Sequence, residues 1–200
     1  MKFNLLAVTL SALAFSAASH ATPVTINPAS DGSLYSCSGC NTVSDGAYVL
    51  TGGYIQGAIK FSTAGITGKV SNATLTLNPY GLPLWGQTVD VFGYGTAIGA
   101  LVAADADAGT FIGTLTLPAG LGYGQDAYFD VTSFVAGINS PYIAFNLRSS
   151  GTNVFSSLEY NYGHPSQLLV TTVSEPSSLA IPGAGILILL LRRASRRTRT

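Results

Sequence analysis

Short runs of alternating apolar and polar residues fill the middle of this chain, and turn-forming residues separate them. In the run from residue 70 to residue 80, Ala73, Leu75 and Leu77 fall on one side of an extended strand, with polar residues between them. A period of two predicts a half-buried β-strand. Eight more runs have this character, at residues 47–50, 53–61, 88–94, 110–117, 127–132, 142–147, 154–160 and 167–173.

About nine strands spaced some ten residues apart predict an all-β fold. Gly, Pro, Asn and Asp between the runs indicate tight connections, which favour an antiparallel two-sheet sandwich of jelly-roll type. One or two helical turns are expected at residues 132–138, since no long stripe with the period of a helix occurs elsewhere in the body. We therefore expect one sandwich domain over residues 22–173.

The first 21 residues have the pattern of a secretory signal peptide. A lysine at position 2 precedes an apolar stretch from Leu5 to Ala18, and small residues flank the expected cleavage site after Ala21. Such an apolar stretch is too short for a membrane anchor. We therefore expect signal peptidase to remove residues 1–21 during export.

The last 27 residues, 174–200, have a second unusual composition. Fourteen nearly all apolar residues, 178–191, precede a cluster of five arginines. As a helix they would span about 21 Å, against a bilayer core of about 30 Å, so only transient insertion in the inner membrane is expected. The positive charges place the C-terminus on the cytoplasmic side. The arginines are Arg192, Arg193, Arg196, Arg197 and Arg199.

The order of these parts resembles the PEP-CTERM sorting signal of Gram-negative bacteria. Glu175 and Pro176 match its motif, whereas Ser174 stands where the family has its first proline. The resemblance implies recognition and cleavage by an exosortase, followed by delivery to the cell surface or extracellular matrix. A plain tail anchor or a monotopic hairpin is the alternative interpretation.

The charge of the body excludes one class of partner. Residues 22–174 carry three basic and eight acidic side chains, a net charge of −5. Nucleic-acid binding requires clustered Lys and Arg on the folded surface. We therefore expect no nucleic-acid partner.

The order of strands between residues 50 and 172 resembles the DNRLRE, or disaggregatase-related, β-sandwich family. The matching segments include FNLRSSG (145–151), VFSSLEY (154–160) and HPSQLLVTT (164–172). Leu158 replaces an arginine that often precedes the glutamate, and residues 22–46 fit poorly. Because the family includes carbohydrate-binding modules, the resemblance implies glycan binding as one outcome.

The residues that bind metals and form disulfides are few. Cys37 and Cys40 are the only cysteines, and in an exported protein we expect them to form a disulfide. Asp105, Asp107 and Gly109 resemble the start of a calcium loop, but the acidic residue at its twelfth position is missing. We expect solvated aspartates there and no cofactor or metal, with structural calcium as the alternative.

Glycan binding and catalysis have different candidate residues. Trp85, in a Pro- and Gly-rich loop, and Tyr80, Tyr160 and Tyr162 offer flat rings for a sugar, although Trp85 also suits one end of the core. The candidates for catalysis are His164 and Glu159. His164 is the single histidine of the body and lies in a Gly-His-Pro turn, where we expect an exposed ring. Glu159 is expected to form an ion pair with Arg148.

These patterns favour a non-catalytic surface or matrix protein that associates with exopolysaccharide in a biofilm. The first alternative is a carbohydrate-binding module with an aromatic site near Trp85. The second alternative is an enzyme that acts on polysaccharide, for which Glu159 would be one of the two carboxylates required.

Overall fold

The computed structural model describes residues 21–37, 42–44, 46, 48–80, 88–118, 121, 124–159 and 164–173. Residues 22–172 form one compact unit, and the terminal residues 1–21 and 173–200 belong to a second, of which only Ala21 and Val173 are described. The described elements are β1 (Ala21–Ile26), β2 (Pro28–Tyr35), β3 (Thr42–Ser44), β4 (Tyr48–Thr51), β5 (Ile55–Ser62), β6 (Lys69–Leu77), β7 (Thr88–Thr96), β8 (Thr110–Thr116), β9 (Ala127–Asp130), α1 (Thr132–Gly137), β10 (Tyr142–Arg148), β11 (Asn153–Ser156) and β12 (Gln167–Val173).

The predicted all-β class is confirmed, and so are the nine predicted strands, which correspond to β4 to β12. The helical turn expected at residues 132–138 is α1. The count of nine is wrong, because β1, β2 and β3 precede them. β2 escaped prediction because it buries polar side chains, Asp31 and Ser33, where an alternating pattern would have apolar ones.

The strands form two main sheets and a two-stranded ribbon. The larger sheet has the order β3-β2-β5-β10-β7-β8, and each neighbouring pair in it is antiparallel. The smaller sheet has the order β1-β12-β6-β9, and the ribbon pairs β11 with β4. An isolated bridge between Pro79 and Phe155 links the ribbon to the chain just after β6.

The hydrophobic core lies between the sheets, and both contribute alternate residues to it. Ala73, Leu75 and Leu77 of β6 are fully buried there, as their spacing predicts. Phe145 lies on β10, a central strand of the larger sheet, and its ring meets those of Phe61 and Phe134 edge to face. The chain is therefore an antiparallel β-sandwich.

A segment between β7 and β8, residues 97–109, crosses the outer face of the larger sheet; we call it the strap. It contains a 3₁₀ turn at Ala103–Asp105. Lys60 of β5 lies beneath the strap, with no solvent exposure, and donates to the carbonyls of Ala100 at 2.8 Å and Ile98 at 3.2 Å. Its Nζ is also 2.7 Å from Oδ2 of Asp105. The strap thus supplies three acceptors to one buried ammonium group.

This arrangement corrects the expectation of solvated aspartates for Asp105, whereas Asp107 is exposed as expected. Asp105 is only 5% exposed, because it faces Lys60 across the strap, and its backbone carbonyl accepts from Nδ2 of the buried Asn146 at 3.0 Å. Asp107, which has a left-handed backbone (φ 61°), accepts hydrogen bonds from Ser36 and Gln56. These two hydrogen bonds hold the pKa of Asp107 below its usual range. Both carboxylates bind protein groups of the larger sheet.

Candidate functional site

Most of the sequence-predicted site residues lie outside the described residues. This holds for Trp85, Tyr160, Tyr162 and Cys40, and for the whole tail with Ser174, Glu175, Pro176 and its arginines. Tyr80 is described, and Cys37 is disulfide-bonded. The roles proposed for the residues that the structure does not describe stay predictions.

Tyr80 lies at one end of the sandwich, next to a second tyrosine that sequence reasoning missed. Its ring centroid is 4.5 Å from that of Tyr48 at the start of β4, with the ring planes tilted by 43°. The Tyr80 amide donates to the Val154 carbonyl at 2.8 Å, which fixes the backbone beside β11. The pair therefore forms a rigid aromatic unit at this end.

Asp126, just before β9, brings polar groups together near the same strand ends. Its Oδ1 accepts from Nδ2 of the buried Asn78 at 2.9 Å and lies 3.3 Å from Nε2 of His164. Its Oδ2 accepts from the Tyr128 hydroxyl at 3.4 Å. Tyr128 is 65% exposed, on the solvent side of β9 where the alternation of that strand places it.

We call Asn78, Asp126, Tyr128 and His164, together with the Tyr48–Tyr80 pair, the loop-end cluster. The side chain of His164 is 39% exposed, in keeping with the exposed ring expected in its turn, and the ring also contacts Asp126, with Nδ1 2.9 Å from its neighbour's carbonyl. Asn78 is held from the other side by the Ser156 hydroxyl, which donates to its Oδ1 at 3.0 Å. The cluster thus presents flat rings beside hydrogen-bonding groups that are already oriented.

The predicted ion pair between Glu159 and Arg148 is not what the structure contains. The guanidinium of Arg148 lies 3.8 Å from the ring centroid of Phe92 and donates to the Ala108 carbonyl at 3.1 Å. Glu159 instead lies beside Asp31 and contributes to the raised pKa of its carboxyl group. The expectation failed because β11 pairs with β4 and ends at Ser156, three residues before Glu159. Strand pairing therefore does not place Glu159 beside Arg148 on β10.

Asp31 is a carboxyl group in an unusual position, on the inner face of β2. It is 2% exposed and opposes the core residue Ile59 in the strand register. The Leu158 amide donates to both of its oxygens, at 3.1 and 3.3 Å. Burial raises the pKa of Asp31 from 3.8 to about 7, and the nearby Glu159 adds to the rise, while the Leu158 amide opposes it.

This raised pKa predicts a pH-dependent stability. Because Asp31 holds its proton more tightly in the folded chain, its contribution is complete below about pH 4 and is lost as the pH rises through about 7. We expect Asp31→Asn to flatten this part of the profile, measured as the difference in unfolding free energy between wild type and variant across that range. The matched control Asp90→Asn, at a partly exposed position, should keep the slope. A wild-type slope retained in Asp31→Asn would contradict the prediction.

A half-open cleft of about 340 Å³ lies at the other end of β6. Val135, Ile138 and Ile143 contribute apolar surface to it, and Lys69 and Asn139 contribute polar groups. None of the described residues that line it is aromatic, so it lacks the flat ring that favours stacking on a sugar. Within the same described part of the chain, no three His, Cys, Asp or Glu side chains are grouped closely enough to hold a metal ion.

Comparison with known proteins gives no assignment. No protein-family model matches this chain, and no curated protein matches it significantly. Among the described residues, no helix has the length and apolar character needed to span a membrane. The function is therefore inferred from the residues of this chain itself.

Proposed function

We propose that this chain is an exported, exosortase-processed protein of the cell surface or extracellular matrix, without catalytic activity, that associates with exopolysaccharide. The order of segments in residues 174–200 carries this proposal: a Ser-Glu-Pro motif, a short apolar run and an arginine cluster. The apparent signal peptide at residues 1–21 supports the same route. The inner membrane, signal peptidase and exosortase are then transient partners.

The loop-end cluster supports the association with a glycan. Aromatic rings favour the apolar face of a sugar ring, and fixed amides and carboxylates favour its hydroxyl groups. Tyr48 and Tyr80 offer the rings, and the Asp126 carboxylate, held by the buried Asn78, offers an acceptor beside the exposed Tyr128. Most of this geometry is fixed by internal hydrogen bonds, which lowers the entropic cost of binding.

Processing is tested by mass spectrometry of the protein secreted by its native host. We expect a chain that begins near Thr22 and ends near Ser174, and accumulation of a longer form when the exosortase gene is deleted. Recovery of the intact chain from the cytosol would contradict the proposal. A membrane-bound chain that keeps its arginines in the deletion strain and in the wild type alike would favour the tail-anchor alternative.

Glycan binding at the loop-end cluster predicts a large effect of one exposed ring. We expect Tyr128→Ala to weaken retention on the host exopolysaccharide at least tenfold, because it removes a ring that is 65% exposed beside Asp126. The thermal midpoint should change little, since little buried surface is lost. The matched control is Tyr54→Ala, which removes a ring that is 61% exposed and pairs with Tyr35 instead. Equal retention of both variants would count against this site.

The alternative of a dedicated carbohydrate-binding module centres on Trp85. Trp85 follows Tyr80 by five residues in the sequence. Under this alternative, Trp85→Ala abolishes binding to a defined glycan and leaves unfolding unchanged. A large loss of stability would instead indicate a core ring.

The alternative of a polysaccharide-active enzyme requires two carboxyl groups about 5 Å or more apart across the scissile bond. Glu159 lies next to Asp31 and contributes to the raised pKa of that carboxyl group. Asp31 is also 2% exposed, so it does not suit the role of a second carboxylate that contacts a polysaccharide. Glu159→Gln would abolish hydrolysis under this alternative and leave glycan retention intact under the main proposal.

A further inference from the structure

A phenylalanine ring lies exposed on the outer face of the larger sheet, away from the loop-end cluster. Phe111 of the edge strand β8 is 58% exposed, and its ring meets that of Phe92 on β7 edge to face, with centroids 5.5 Å apart. A single exposed apolar residue is common and needs no explanation. Three further features set this ring apart.

The first feature is a β-bulge that turns Phe111 toward Phe92. Val91 pairs with Gly113, but the next residue, Phe92, pairs with Phe111, so Ile112 is the extra residue on β8. The Ile112 side chain points toward the core face, where it approaches Gly93. Without the bulge, regular pairing would place Ile112 opposite Phe92. Bulges often re-aim one side chain in this way near binding sites.

The second feature is the support beneath the ring pair. The guanidinium of Arg148 lies over the Phe92 ring, 3.8 Å from its centroid, and its Nη2 is tied to the Ala108 carbonyl of the strap. A guanidinium at this distance is attracted by the negative face of the ring. Phe92 is therefore fixed, and it fixes the edge of Phe111 in turn. The exposed ring is presented as a rigid surface.

The third feature is a hydrogen-bonding pair along the same face. The Thr114 hydroxyl donates to Oδ1 of Asp90 at 2.6 Å, and these two residues oppose each other two positions from Phe92 along β7. Two residues along a strand correspond to about 7 Å. This distance is comparable to the width of one sugar ring lying on Phe111. A hydroxyl group at the rim of such a ring would reach the Asp90 carboxylate.

We propose that Phe111, Phe92, Asp90 and Thr114 form a second glycan-binding surface, which takes a neutral hexose polymer. The ring stacks on the apolar face of one sugar, and Asp90 accepts from its hydroxyl groups. A carboxylate at the rim of a body with a net charge of −5 disfavours uronate polymers. This inference rests on the proposed association with exopolysaccharide and specifies one contact surface and one class of sugar for it.

The test is affinity electrophoresis of the secreted protein in gels that contain a neutral glucan, a neutral mannan or a polyuronate. We expect retardation by a neutral polymer, at least a tenfold weaker retardation of Phe111→Ala and Phe111→Leu, and retention of binding in Phe111→Trp. The leucine variant keeps an apolar side chain but loses the flat ring. Leu169→Ala, an exposed apolar position on the smaller sheet, is the control and should behave as wild type.

The outcomes separate this inference from the proposed function. If the protein binds a neutral polymer and Phe111→Ala binds it equally well, the Phe111 surface is wrong while the proposed function stands. Retardation by polyuronate alone overturns the assigned sugar class. If no polymer retards the protein and the host matrix does not retain it, the proposed function itself fails. A thermal midpoint of Phe111→Ala near that of wild type excludes unfolding as the cause of lost binding.

Discussion

Replacing Lys60 with methionine is expected to lower the free energy of unfolding by about 3–5 kcal/mol, the effect of removing one partner from a buried ion pair. The ammonium group has no solvent exposure, and its three acceptors lie at 2.7, 2.8 and 3.2 Å. Methionine fills a similar volume but leaves the Asp105 carboxylate buried without its counter-charge. Urea denaturation followed by intrinsic fluorescence measures the change.

The matched control is Lys69→Met, which makes the same substitution at an exposed position on β6. It should change stability by less than about 0.5 kcal/mol. The double variant Lys60→Met, Asp105→Asn should recover part of the loss, because it removes the uncompensated charge. A single Lys60→Met variant as stable as Lys69→Met would mean that the strap does not depend on this ion pair.

The second large effect is expected from Phe145→Ala, at about 3–5 kcal/mol. Phe145 is fully buried on the central strand β10, and its centroid lies 6.0 Å from that of Phe61 and 5.7 Å from that of Phe134. Truncation removes both edge-to-face contacts and opens a cavity between a strand and α1. Thermal unfolding followed by circular dichroism measures the loss of stability.

Phe111→Ala is the internal comparison for this prediction. It makes the same truncation at a ring that is mostly exposed, so only the contact with Phe92 is lost, worth about 1 kcal/mol. We therefore expect Phe145→Ala to be at least twice as destabilising. Similar losses of stability in the two variants would mean that burial between the two sheets is not the main source of the stability of the sandwich.

The strands of the sandwich were predictable where burial follows the two-residue period. β6 is the clearest case, with Ala73, Leu75 and Leu77 on the core face. β2 was not predictable, because Asp31 and Ser33 occupy its inner face and their partners, the Leu158 amide and the backbone of β4, are distant in sequence. A local pattern contains no information about such partners.

The candidate sites illustrate the same limit. Asp105 lies in a polar stretch that is typical of a solvated turn, and only its contact with Lys60, forty-five positions away, explains its burial. Strict alternation along β8 would place Phe111 and Leu115 on one face, and the bulge at Ile112 separates them. Tyr80 was named for its position five residues before Trp85; it lies in an aromatic pair, and its role in glycan binding stays a prediction.

The enclosure of Lys60 by the strap has a practical consequence for labelling. Residues 22–174 contain two lysines, Lys60 and Lys69, and only Lys69 is exposed in the folded chain. An amine-reactive dye or a sensor-chip linker should therefore attach at Lys69 and at the terminal amine alone. Molecules coupled through Lys69 would then share one orientation, and modification of Lys60 would report that the strap has opened.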